Sequence, residues 1–278
     1  MAKFQPDIVK ASGEKVEFSR NKLKNSLKKS GASLHTINSI LKVIEKEIYP
    51  DITTEAIYNR AYSLLREFET PCASRYKLKR AIYDLGPTGF PFEHFISALL
   101  KHSGYDTYVS KTLQGKCVKH EVDVVATSNK HTTLVECKFH SDRGQTCNIK
   151  VPLYILSRYN DIKANWSSRT NNALNPPWVV TNTRFTEDAL NFGKCSGMFL
   201  LSWDYPKDHA LKDRIDDLKL YPITVSSLLS SKEKSFLLNR GIVLCRQLVK
   251  EPFYLDHMGL SDIRKEKVLN EVEFLCND

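Results

Sequence analysis

Asp123, Glu136 and Lys138 stand within EVDVVATSNKHTTLVECKFH, residues 121–140, where two short apolar-rich runs flank Asn129-Lys130. Side chains alternate faces along a strand, so Glu121, Asp123 and Val125 are expected on one face, with Val122, Val124 and Ala126 on the other. In the second run Leu134, Glu136 and Lys138 share a face. A two-residue turn at Asn129-Lys130 sets Asp123 across from Glu136 and Glu121 across from Lys138. Opposed residues hold their Cβ atoms about 4.5–5.5 Å apart, and two carboxylates that close repel unless a cation or a proton lies between them. Magnesium takes oxygen ligands, often only one or two protein carboxylates, and leaves other positions for water and phosphate. Lys138 would then orient the attacking water and stabilise charge at the phosphate, the combination that metal-assisted phosphodiester hydrolysis requires. A plain solvated strand face, with Lys138 pairing to Glu121 for about 0–1 kcal/mol, fits the same spacing.

The surrounding pattern supplies elements able to hold such a hairpin. A helix over 92–102 precedes a turn at Gly104 and strands over 105–110, 121–127 and 132–139. A helix over 151–161 follows, then a strand over 178–181, a helix over 186–194 and a strand over 197–203, an α/β order whose last unit is a parallel crossover. Gly86-Pro87-Thr88-Gly89 marks a boundary on the amino-terminal side. Before it come a hairpin over 8–18 and helices over 21–29, 34–48, 53–67 and 73–85. After about Leu220 the reading is helical, with Gly241 and Gly259 at short turns resembling helix-hairpin-helix units. Such turns can offer amides to phosphate; a small packing domain is the alternative. The division is 1–88, 89–219 and 220–278.

A formal charge of +9 suggests a polyanionic partner, since each cation placed on a phosphate releases condensed counterions. Seven cysteines without a CxxC pair fit reduced thiols, hence a cytoplasmic protein. No run of about eighteen apolar residues suggests a membrane span, and MAKFQPDIVK lacks a signal-peptide core.

GFPFEHFISALLKHSGYDTYV, HEVDVVA, LVECKF and WVVTNTRFTEDALNFGKCSGMFLLSW occur in that order over about 89–205. They resemble the core of Mrr-type restriction endonucleases, a branch of the PD-(D/E)XK superfamily. That resemblance implies a restriction-endonuclease-like mixed sheet flanked by helices and a Mg²⁺-dependent endonuclease acting on DNA, with a role in restricting foreign DNA. It places Asp123 and Glu136 as metal ligands, Lys138 as the catalytic lysine and Glu93 as a completing carboxylate. The family often carries glycines around the acidic strand, whereas this chain has His120-Glu121-Val122-Asp123. His120 is expected to point away from Asp123 and to be structural, and His140 to lie in a loop. A nuclease-dead, nucleotide-responsive DNA-binding regulator is the competing reading, and cutting both strands would take two sites, hence a homo-oligomer.

IVKASGEKVEFSRNKLKNSL, ITTEAIYNRAYSLL and SRYKLKRAIYDL, over about 8–86, resemble the ATP-cone, a mostly helical nucleotide-binding regulatory domain. By that resemblance Lys10 and Lys22 contact phosphates and Tyr58 stacks on a base, with ATP or dATP as the bound effector. Ala11-Ser12 stand where the family usually has a basic and an acidic residue. No GxxxxGK[ST] loop is present to support hydrolysis.

Overall fold

The computed structural model describes residues 6–10, 12–142, 144–166 and 170–277. Strands β1 (Asp7–Val9) and β2 (Lys15–Glu17) form the expected amino-terminal hairpin. Helices α1 (Arg20–Lys29) and α2 (Leu34–Glu47) follow, then β3 (Ile52–Thr53), parallel to β1, α3 (Thr54–Phe68) and α4 (Thr70–Tyr76). Local chemistry fixes the starts of three helices: the hydroxyls of Ser19, Ser33 and Thr53 accept the amides of Lys22, Thr36 and Ala56. The apolar stripes that follow bury Leu23, Leu27, Ile40, Leu41, Ile57 and Leu65 in one core, which Phe18 joins.

The single helix expected over 73–85 is two. After a turn at Lys77 the chain resumes as α5 (Leu78–Tyr83). The halves serve different cores: Ala73 packs with the amino-terminal helices, whereas Leu78, Ala81, Ile82 and Leu85 enter the core of the rest of the molecule. One straight rod has no means of facing both.

Next come α6 (Phe90–His102), β4 (Asp106–Gln114), β5 (Lys119–Ser128) and β6 (His131–Lys138). They are followed by β7 (Thr146–Cys147), α7 (Lys150–Lys163), β8 (Ala173–Leu174) and β9 (Trp178–Thr181). β10 (Arg184–Phe185), α8 (Glu187–Cys195), β11 (Phe199–Leu201) and α9 (Leu211–Leu218) complete the region. The fold is mixed α/β. Its main sheet runs β11-β9-β6-β5-β4, with β8 also on β6; β4, β5 and β6 are antiparallel neighbours, and β9 and β11 continue in parallel. α6 covers one face of the sheet through Phe92, Phe95 and Leu99, and α7 the other through Tyr159 and Ile162. The right-handed preference of parallel connections accounts for the β9–α8–β11 crossover, and Thr186 caps α8 by accepting the Ala189 amide.

The carboxy-terminal segment is helical: α10 (Ser231–Leu238), α11 (Cys245–Lys250), α12 (Phe253–His257) and α13 (Asp262–Asn277). Gly241 and Gly259 do sit at turns with positive φ, 76° and 68°. Their amides, however, are already used. Gly241 N–H and Ile242 N–H donate to the carbonyls of Leu238 and Leu237, and Gly259 and Leu260 repeat the pattern on Asp256 and Leu255. These are helix C-caps in which the following apolar residue is buried. The expectation that the turns offer amides to phosphate is therefore corrected in favour of packing.

A buried carboxylate joins the segment to the rest. Glu271 on α13 accepts Ser74 Oγ at 2.6 Å from α4, and Ser227 N and Oγ at 2.8 and 2.7 Å, besides Ser226 Oγ. Among the described residues no helix is long and apolar enough to cross a membrane. Glu271→Ala is expected to lower stability by roughly 3 kcal/mol or more, because several hydrogen bonds to one buried acid are lost together, and to increase hydrogen exchange in α4 and α13. An unchanged urea midpoint would contradict the anchoring role.

Candidate active site

The site forms where two strands stop pairing. From Ser128↔His131 to Val124↔Val135 the β5–β6 ladder has the register expected from the sequence, around a turn whose Asn129 and Lys130 both adopt positive φ, 49° and 62°. Continuing one step sets Asp123 opposite Glu136. There the ladder ends: Cys137 N–H donates to Asp123 Oδ2 at 2.7 Å instead of to a β5 carbonyl. Glu121 and Lys138 consequently do not pair across the ladder, contrary to expectation.

The strand alternation also breaks at this point. Ser110, on the neighbouring strand where Asp123 would be paired, has φ 51°. Val122, expected to share the face of Val124, packs instead with Val125 and Leu134 beneath α7, while Val124 and Ala126 stay with α6. This local twist leaves Asp123 between the two helical layers, within reach of groups from both.

Glu93 comes from the first turn of α6, which Pro91 and Gly89 start. Burial first, then the charges of Asp123, Glu121 and Glu136, push its carboxyl up to about 7. Glu136 is pushed up to about 7 by burial and by Asp123, against the opposing pull of Arg158 and Lys138. Asp123 is also raised by burial, and the Cys137 amide works against that shift. Lys138 is exposed at the end of β6 and lowers both neighbouring acids. Glu93, Asp123, Glu136 and Lys138 thus converge, with the carboxylates outnumbering the lysine.

Sequence reasoning missed Arg158 of α7. Its Nη1 donates to Glu136 Oε2 at 2.7 Å and to the Glu121 carbonyl at 3.0 Å, and its guanidinium lies over Tyr154, 4.9 Å from the ring centroid. Its Nε is buried with no hydrogen-bond partner among the described residues. Tyr154 and Arg158, one helical turn apart, carried the only signal available in the sequence.

A hard divalent cation fits the donor chemistry: carboxylate oxygens crowded in a cleft whose burial and mutual repulsion hold two acids near neutrality. Among the described residues no group of three or more His, Cys, Asp or Glu side chains is arranged to hold a metal ion. Magnesium does not need three protein ligands, since one or two carboxylates suffice and water or phosphate fills the rest.

His120 and His140 lie outside this cluster. His120 Nε2 meets Asp161 Oδ2 at 2.7 Å, while Asp161 also accepts the Cys117 amide, so the pair ties the β4–β5 turn to α7. His140 sits past β6, bracketed by Asn182 and Thr183.

In the amino-terminal unit Lys10, Lys22 and Tyr58 line one cavity of about 300 Å³ together with Phe18, Thr54 and Tyr76. Lys10 pairs with Glu14 at 2.8 Å. Tyr58 lies nearly parallel to Tyr76, centroids 5.0 Å apart, and also to Tyr62, so part of the stacking expected of it is taken within the protein. Ala11, half of the departure from the ATP-cone pattern, lies outside the described residues.

Three known domain families match successive stretches: the ATP cone domain at 6–84, the Mrr-type restriction endonuclease domain at 87–204, and the domain described as AF1548-like, C-terminal, at 221–276. An uncharacterized protein of Archaeoglobus fulgidus is 30% identical over 179 residues, which are 64% of this chain and 98% of that protein. The crystal structure of AF1548, a protein of unknown function, is 28% identical with a TM-score of 0.56 over 68% of this chain and 98% of its own. The chain belongs to the family of that archaeal protein, carrying an ATP-cone ahead of a restriction-endonuclease domain and an AF1548-like carboxy-terminal domain.

Proposed function

We propose that this protein is a Mg²⁺-dependent endodeoxyribonuclease, regulated by ATP or dATP and acting in the cytoplasm on foreign DNA. The observation that carries the reading is the convergence of Glu93, Asp123, Glu136 and Lys138 where the β5–β6 ladder opens, within a restriction-endonuclease domain. The net charge of +9 supports a polyanionic substrate. Asp123 and Glu136 would hold the cation, with Glu93 as a further carboxylate. When bound, it supplies Lewis-acid stabilisation of a phosphoryl oxygen and a more acidic water. Lys138, exposed and free of cross-strand pairing with Glu121, would meet a phosphate and balance charge built up in the transition state. The Cys137 amide keeps Asp123 in place, so its position does not depend on substrate. Two such chains acting together would cut both strands.

One observation favours a second reading. Arg158 already neutralises Glu136, as would suit a DNA-binding regulator without cleavage. Incubating full-length protein with supercoiled plasmid separates the two. Cleavage is expected with Mg²⁺ or Mn²⁺ and none with EDTA, and Asp123→Asn, Glu136→Gln and Lys138→Ala should each lower the rate by roughly 10²-fold or more. Metal-independent DNA binding without cutting would favour the regulator; wild-type rates in all three variants would overturn the site.

The amino-terminal cavity supports an effector role for the nucleotide. An effector shifts activity only through different affinities for two states, typically about 1–3 kcal/mol of coupling, so ATP or dATP is expected to change cleavage or assembly by several-fold to about a hundredfold. Lys10→Ala with Lys22→Ala should abolish calorimetric nucleotide binding and that response while leaving metal-dependent cutting intact. Lack of binding by the wild type at about millimolar nucleotide would remove the regulatory role.

A further inference from the structure

A second polar cavity, of about 490 Å³, lies at the junction of the amino- and carboxy-terminal units. One wall is the turn and helix of α5, which contribute Lys77, Arg80 and Asp84; the other is α10, which contributes Ser231, Lys234 and Ser235. Serine, lysine and serine at that spacing lie on one helical face. Tyr62 of α3 closes one side.

The charges lining this cavity do not balance. Lys77, Arg80 and Lys234 face a single carboxylate, Asp84, which Lys77 meets only loosely at 3.6 Å. Among the described residues neither Arg80 nor Lys234 has an ion-pair partner. Lys77 exposes only 15% of its side chain. Burial, followed by repulsion from Lys77, brings the Lys234 amine down to about 8. Cations drawn inward against one another are destabilising unless an anion enters between them.

We infer that this junction cavity is a binding site for a dianionic oxyanion, inorganic phosphate or a phosphate monoester. Three lining cations against one lining carboxylate, with the buried Glu271 behind Lys234, leave a net positive charge that an entering oxyanion would offset. The Arg80 guanidinium presents a planar donor fork and the two amines act as point donors, the combination that suits phosphate oxygens. The hydroxyls of Ser231 and Ser235 add neutral donors, while Asp84 is the one group that would repel the ion. α5 and α10 share one core while Tyr62 packs on the amino-terminal one, so an ion held here would lie where α3 meets the core of the rest of the molecule.

The test is calorimetric titration of inorganic phosphate, and separately of glycerol 3-phosphate, into the full-length protein. The wild type is expected to bind one ion per chain. Arg80→Gln and Lys234→Gln should each weaken binding roughly tenfold or more, whereas Lys10→Ala with Lys22→Ala should leave it unchanged. Tighter binding of the ester would assign a phosphate monoester, and equal binding the free ion. Circular dichroism and urea unfolding check that the variants are folded; Lys234→Gln, which removes a repelled charge, should be at least as stable as the wild type in phosphate-free buffer. No binding by the wild type up to about 20 mM would overturn the proposal. So would equal binding by both cavity variants, or loss of binding in the Lys10/Lys22 variant.

Discussion

Three half-buried carboxylates act on one another's charge, and partial burial together with that repulsion works against all three being ionised at once. Glu93 arrives from a helix on one face of the sheet, while Asp123 and Glu136 come from the two strands whose pairing stops between them. Each is pushed toward the neutral form by burial. A fold selected for stability alone would place apolar residues or full ion pairs there. Among the described residues Lys138 and Arg158 offset the acids, and Lys138 is exposed. In the proposed reading a divalent cation would resolve the conflict, and the unfavourable energy of the cluster would become affinity for the ion.

The supporting architecture keeps this cleft from relaxing. The Asp123 carboxylate replaces a strand carbonyl as partner of Cys137, so turning it outward would orphan a buried amide. Gly86 lies against Phe139, directly after Lys138; a Cβ there would come within 2.7 Å of the ring. The chain leaving the amino-terminal unit is thereby packed on the strand that carries Glu136 and Lys138. α5 shares its core with α6 and the carboxy-terminal helices, and Glu271 fastens α13 to α4. The amino-terminal core and the core of the sheet are thus joined through α4, α5 and Glu271.

Much of this was legible in the sequence. Asn129-Lys130 fixed the hairpin register as a two-residue turn between the strands, and Asn129 is a residue type that tolerates the left-handed backbone such a turn requires. The start of α3 followed from its threonine cap. The end of the ladder was not legible, since periodicity assumes a regular strand and has no term for a carboxylate that replaces a carbonyl. The same assumption misassigned Val122. Arg158 was hidden because its meaning depends on α7 crossing β5 and β6, a contact set by tertiary packing. Gly241 and Gly259 marked their turns correctly, yet a glycine turn reads the same whether its amides serve a ligand or, as here, the preceding helix.

A divalent cation should bind the carboxylate cluster even in the absence of DNA. Calorimetric titration of Mn²⁺ into full-length protein, with Asp123→Asn alongside, asks that directly. The expected result is one site per chain in the wild type, lost or weakened roughly tenfold or more in the variant. Absence of any site in the wild type, or equal affinity in the two proteins, would contradict it.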